Sequence, residues 1–162
     1  MAGVAGRLRV TPMALYRHVA NKADLLDGVV ELLLNEFPLP RQDLLWPERL
    51  RALAGNIRAS ARRHPGVFPL LLQRPAATAE ARQARDAVYR ALGDAGVPPD
   101  RAAQVERLVS TAVLGFAVSE AAGRFRDHSQ RQLDADFDAL LAMLGRFVAA
   151  GPSDAAYFGP RG

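Results

Sequence analysis

The chain has 162 residues, 49% of them hydrophobic and 23% charged, enough for one compact domain or a small helical module attached to a larger one; disorder and fibrous repeats are excluded. It contains no cysteine, which excludes disulfides, thiolate metal sites and thiol chemistry, and its histidines, His18, His64 and His128, form no i, i+4 ligand pair. The net charge of +4 lies wholly in residues 1–22, where Arg7, Arg9, Arg17 and Lys22 stand without any Asp or Glu, while the remaining 17 basic residues are matched by 17 acidic ones.

The pattern is all-α. Val4, Ala5 and Leu8 predict a short helix over residues 3–8, broken at "RVT". Thr11 is a good N-cap and Pro12 a good first helical residue, because proline lacks the N–H that would be unpaired there; a second short helix is predicted from Pro12 to about Val19. Asn21 caps the next helix, with Asp24 in its first turn as a relaxed capping box. Leu26, Val29, Val30, Leu33, Leu34 and Phe37 then recur at helical spacing, giving an amphipathic helix to about Glu36. The stretch "FPLPRQDLLWP" divides a head and connecting helix, residues 1–37, from a helical body, residues 38–150.

The body opens with Pro47 and a stripe of Leu50, Leu53, Ala54, Ile57 and Ala61, stopped at "HPG", and continues through a short segment, "VFPLLLQRP". Residues 77–93 predict an Ala-rich helix with Ala84, Val88, Ala91 and Leu92 on one side, ended by Gly93 and Gly96. The helix expected from about Asp100 to Gly123 turns apolar nearly all round from Val109 onward, so it must be covered on every side, by its own core and by another subunit. Thr111, Gly115, Ser119 and Gly123 form a stripe of small residues at four-residue spacing that lets a second helix approach closely. The polar loop "RFRDHSQRQ" leads to a last helix from Asp134 to about Ala150, carrying Phe137, Leu140, Leu141, Leu144, Phe147 and Val148. Residues 151–162 are expected to form a flexible tail.

Two short helices separated by a tight break, the second opening with Thr-Pro, have the layout of a helix-turn-helix. At 100° per residue, Leu15 and Val19 point toward Leu8 and Leu26, while Met13, Ala14 and Arg17 point outward with Tyr16 and His18 on the flanks. Such a helix fits a major groove. Arg17 can donate twice to a guanine, Met13 and Ala14 can meet thymine methyls, and Tyr16 can reach a phosphate. Lys22, the only lysine, sits at a helix start, where its charge and the helix dipole act together on a phosphate. An ordinary solvated face would carry the same residues.

"LRVTPMALYRHVANKADLLD" closely resembles the turn, recognition helix and following helix of the TetR family of bacterial transcriptional repressors, including its Leu-Tyr-x-His-Val and Asn-Lys-x-x-Leu-Leu elements. The motif covers about the first 37 residues, and the body agrees in helix order and lengths. The resemblance implies operator-DNA contacts from Thr11, Pro12, Met13, Tyr16, Arg17, His18 and Lys22, with the helix from Lys22 to Glu36 as a hinge. It also implies an effector-binding body and a homodimer built from the last two helices. The dimer interface would then include Phe137, Leu141, Leu144 and Val148 beside the stripe of Thr111, Gly115, Ser119 and Gly123. Two departures stand out. Arg9 occupies a turn position where the family usually has glycine, implying a different turn or strain. A complete family member has a further helix before the position of Met1, so the head is expected to be truncated.

No GxSxG, HExxH or phosphate-cradling Gly loop occurs, so an enzyme is not expected, and neither is a cofactor or metal. No apolar run approaches the roughly 20 residues of a membrane span, and arginines interrupt any secretory signal, which points to the cytoplasm. For a small-molecule effector, the candidate contacts are His64, Tyr89, Phe116 and Glu120, polar or aromatic groups on apolar faces. Each has a plainer reading: a helix-capping His64, an interfacial Tyr89 and a Glu120 paired with an arginine across the dimer. The expected function is an effector-responsive, DNA-binding repressor. The alternative is a dimeric small-molecule-binding or interaction protein whose truncated head no longer binds DNA.

Overall fold

Several helix ends among the described residues fall where a side chain or a glycine satisfies backbone groups that a helix leaves unpaired. The computed structural model describes residues 2–7, 9, 11–73 and 79–150. The head comprises α1 (Ala2–Arg7), α2 (Pro12–Tyr16) and the longer α3 (Lys22–Asn35). The body follows as α4 (Trp46–Arg63), a 3₁₀ helix (Phe68–Leu72), α5 (Ala79–Asp94), α6 (Pro99–Ala121) and α7 (Gln130–Ala150). Every regular element among the described residues is helical. The expected tail, residues 151–162, lies outside the described residues, as do Leu8 and the side chains of Pro12 and Leu15.

The caps expected for the head form. Thr11 Oγ1 accepts from Ala14 N at 3.1 Å, and Asn21 Oδ1 accepts from Asp24 N at 3.0 Å. Asp24 reaches back to accept from Ala20 N at 2.8 Å. That reciprocal pair stops α2 early: the helix ends at Tyr16, not Val19, and Arg17 and His18 occupy the turn that brings Ala20 to Asp24. α5 and α6 both close with left-handed glycines, Gly96 at φ +82° and Gly123 at φ +75°. In each case the following N–H bonds back to the last turn, Val97 N to Leu92 O and Arg124 N to Ser119 O, both at 3.0 Å. Gly123 therefore lies beyond α6, where the cap itself accounts for a glycine. α7 begins at Gln130, four residues before the expected Asp134, because Ser129 caps it.

The main core joins α4, α5, α6 and α7. Ala54, Leu92, Val97, Val105, Val109, Val113, Phe137, Leu144 and Val148 form one buried cluster. A smaller cluster of Phe37, Ala61, Phe68 and Ala117 anchors the end of α3 and the 3₁₀ helix. Ile57 packs against both, so α4 is shared by the two. The buried stripe of α6 runs Val105, Val109, Val113, Ala117, while Leu108, Thr111 and Gly115 remain exposed. A strip of α6 through Leu108, Thr111 and Gly115 is thus left uncovered by its own chain.

Candidate nucleic-acid interface and effector cavity

The expected DNA-contacting side chains that the structure describes all reach solvent at the basic end of the molecule. Thr11, Met13, Tyr16, Arg17, His18 and Lys22 are exposed, Met13 at 71% despite being apolar. Arg17 and His18 stand in the turn after α2, so their directions follow the turn rather than helical spacing. Arg9, exposed in the turn between α1 and α2, adopts φ +54° with its N–H donating to Gly6 O at 3.2 Å. The turn has the left-handed geometry that suits glycine, and arginine supplies it under strain.

The four residues expected around an effector lie on three helices: His64 at the end of α4, Tyr89 on α5, and Phe116 and Glu120 on α6. His64 closes α4 and places Nε2 3.2 Å from Glu36 Oε2, a carboxylate that also accepts from Arg63 at 3.4 Å. Together with Asn56 Nδ2, which donates to Pro38 O at 2.7 Å, these contacts fasten the second half of α4 to the end of α3. Tyr89 is half-buried on α5, its hydroxyl 3.3 Å from Arg85 Nη2. Phe116 stacks in the interior, 5.2 Å from the Phe137 ring and 5.6 Å from that of Phe125.

Glu120 has its arginine partners within the chain. Both of its oxygens accept from buried Arg58 at 2.7 Å, and one accepts also from Arg62 at 2.7 Å. Arg58 lies 4.7 Å over the Phe137 ring and 5.5 Å over that of Phe116, and its third nitrogen meets Asp134 at 2.9 Å. The network ties α4, α6 and the start of α7 together. Burial pushes the Glu120 carboxyl up, but the hydrogen bonds and charges of Arg58 and Arg62 outweigh it, and the group titrates below its ordinary range. With its oxygens so committed, Glu120 acts as an internal strut. The sequence does signal this: Arg58 falls on the apolar stripe of α4 between Ala54 and Ala61, where a charge requires a buried partner.

A cavity of about 160 Å³ opens between the first half of α4, the middle of α6 and the second half of α7. Trp46, Leu50, Val113 and Leu144 make its apolar walls, with Arg51 and Gly145 at its boundary. None of these was among the expected effector contacts. Their meeting depends on how three distant helices cross, which periodicity does not encode. The expected interface residues Phe137, Leu144 and Val148 are buried within their own chain, and Leu141 is half-buried. The outer faces of α6 and α7 present Leu108 and Met143, 51% and 53% exposed, together with Thr111 and Gly115. Ser119 and Gly123 are half-buried. Among the described residues no helix is long and apolar enough to cross a membrane.

Residues 50–144 match the family described as "Tetracyclin repressor-like, C-terminal domain". A curated relative from Saccharopolyspora erythraea, named as an HTH-type transcriptional regulator, is 29% identical and is aligned over 98% of this chain and 70% of its own length. BioQ of Mycobacterium smegmatis superposes with a TM-score of 0.73 at 28% identity, covering 90% of this chain and 83% of that one. BioQ has also been solved with its natural double-stranded DNA operator. A single-substitution variant of TetR from Acinetobacter baumannii, solved with minocycline, gives a TM-score of 0.69 at 26% identity, over 96% and 86% of the two chains. With more than half its length matched by the family, and a helical head exposing a basic segment, the chain belongs to the tetracyclin repressor-like (TetR) family of transcriptional regulators.

Proposed function

We propose that this chain is an effector-responsive repressor that binds operator DNA as a homodimer in the cytoplasm. The observation that carries the reading is the exposed set of Met13, Tyr16, Arg17, His18 and Lys22 at the only end of the chain with net charge. Thr11 and Pro12 start the short helix that carries Met13 and Tyr16, while Arg17 and His18 stand in the turn that follows and Lys22 opens α3. Arg17 reads a base edge, Met13 packs on thymine methyls, and Lys22 and Tyr16 neutralise or contact phosphates. The operator complex of BioQ and the minocycline complex of the Acinetobacter protein support DNA and a small molecule as the two partners. Contacts joining α4 to the end of α3 give a ligand in the body a mechanical route to the head.

The test is footprinting on the DNA flanking the gene, with a salt titration and a selection from whole-genome fragments. A protected palindrome whose affinity falls steeply with salt is the expected result, because phosphate neutralisation releases counterions. Arg17→Ala relaxes base preference, whereas Lys22→Ala weakens binding to all sequences and reduces the salt slope by about one. Neither protection nor enrichment of any sequence would overturn the reading in favour of a ligand-binding protein with an inert head.

A further inference from the structure

We infer that the cavity between α4, α6 and α7 is a binding site for a compact apolar carboxylate, of the size of one aromatic ring or a short branched chain. The inference rests on the effector-responsive reading above and names the site and the chemical class. Size comes first. The cavity holds about 160 Å³, and an apolar cavity of about 150 Å³ in a protein interior takes up benzene. Its walls, Trp46, Leu50, Val113 and Leu144, offer no hydrogen-bonding demand apart from the indole N–H.

The polar anchor is Arg51. Arg51 lines the cavity, its side chain about half exposed, and its Nη1 pairs with Asp138, itself 65% exposed and lining the neighbouring cavity beside Arg58 and Arg62. An exposed ion pair of this kind contributes little, so a ligand carboxylate can share or replace Asp138 on the guanidinium fork. A neutral ligand of the same shape gains nothing from that exchange.

Gly145 lines the same cavity. It lies inside α7, where glycine disfavours the helix, and a Cβ built on it meets nothing within 4 Å. The backbone would accept alanine, so the missing side chain leaves space rather than relieving a clash. The site is also placed to act at a distance. The first half of α4 lines the cavity, and the second half is bonded to α3 through Asn56–Pro38 and His64–Glu36. A ligand wedged against α4 therefore displaces the same rigid helix that holds the head.

The experiment uses the full chain without DNA, with benzoate, benzamide and acetate as probes in isothermal titration and saturation-transfer NMR. Benzoate is expected to bind saturably, benzamide about threefold more weakly, and acetate not at all. Arg51→Gln should erase the difference between benzoate and benzamide. Gly145→Leu, whose side chain fills the cavity, should abolish both. Gly145→Ala should raise the unfolding midpoint, which establishes that position 145 tolerates a side chain independently of ligand. Absence of saturable benzoate binding at millimolar concentration would overturn the inference, as would uptake unaffected by Gly145→Leu in a protein with an undiminished midpoint. Operator binding is measured separately. Benzoate binding that leaves DNA affinity unchanged retains the site and defeats the effector reading, while intact DNA binding without benzoate uptake defeats the site alone.

Discussion

Arg9 holds a left-handed backbone at φ +54°, where a Cβ crowds the neighbouring carbonyl. Arg9→Gly removes that conflict, partly offset by the greater freedom of glycine in the unfolded chain, and is expected to stabilise the fold by about 1 kcal/mol in urea unfolding. Arg9→Ala removes the same charge but keeps the Cβ, and should bring no gain; equal gains from both would assign the effect to charge. A second residue-scale prediction concerns Glu120. Replacing it with Gln leaves Arg58 buried against Asp134 alone and is expected to cost about 3 kcal/mol. Asp134 also titrates below its usual range, chiefly through hydrogen bonds from Arg62 and Gln130. Both carboxylates bind fewer protons folded than unfolded. Their contribution is therefore complete above the ordinary carboxylate range and is lost as the pH falls through their lowered folded values. Thermal midpoints measured down the acid limb should fall less steeply for Glu120→Gln than for the parent, and parallel slopes would remove this network from the acid response.

At the scale of elements, the start of α7 shows how far local chemistry reaches. Ser129 Oγ accepts from Gln132 N at 3.3 Å and Ser129 O from Leu133 N at 3.1 Å, so the helix begins four residues before its apolar stripe. Ser129→Ala should cost about 1 kcal/mol and strip amide-exchange protection from residues 130–133, leaving the helix intact from Asp134. Unchanged protection would mean that packing, not the cap, sets the boundary. The Ser-x-x-Gln spacing that produces this start is plain in the sequence, but a polar run outweighs it when helices are sought by apolar period. Where cap and period agree, as at Thr11-Pro12 and Asn21, the helix start is legible. The exposure of the basic segment is legible for the same reason: its residues lie close in sequence, on one short helix, its turn and the start of α3. The cavity is not, because Trp46, Val113 and Gly145 are brought together only by the crossing of α4, α6 and α7. Glu120 is ambiguous in the sequence for a related cause, since its polar place on an apolar face suits a ligand contact and a strut equally, and only the folded chain sets Arg58 beside it.

Over the whole molecule, α4 connects the two ends. At 18 residues it is about 27 Å long, with the cavity along its first half and the attachment to α3 along its second. A helix of this kind transmits a displacement only if something holds the rest of the body still, and a second copy packed on α6 and α7 would provide that fixed frame. The outer faces of these helices carry Leu108 and Met143 in solvent, while the opposite face of α6 is already filled by Val105, Val109, Val113 and Ala117. Thr111 and Gly115, exposed beside Leu108, let a neighbouring helix come close. Leu108→Arg places a charge on this face without touching the core of its own chain. It should leave helical content and the unfolding midpoint of the isolated subunit unchanged, yet yield a monomer by sedimentation at micromolar concentration. On the proposed function, a monomer carries one DNA-contacting head. Its operator affinity should therefore fall, with the slope of log affinity against log salt reduced to about half, because half the phosphate contacts are gone. A dimer that survives Leu108→Arg and Met143→Arg together would move the interface off these faces, and a monomer that keeps the full salt slope would show that one head suffices for the DNA contact.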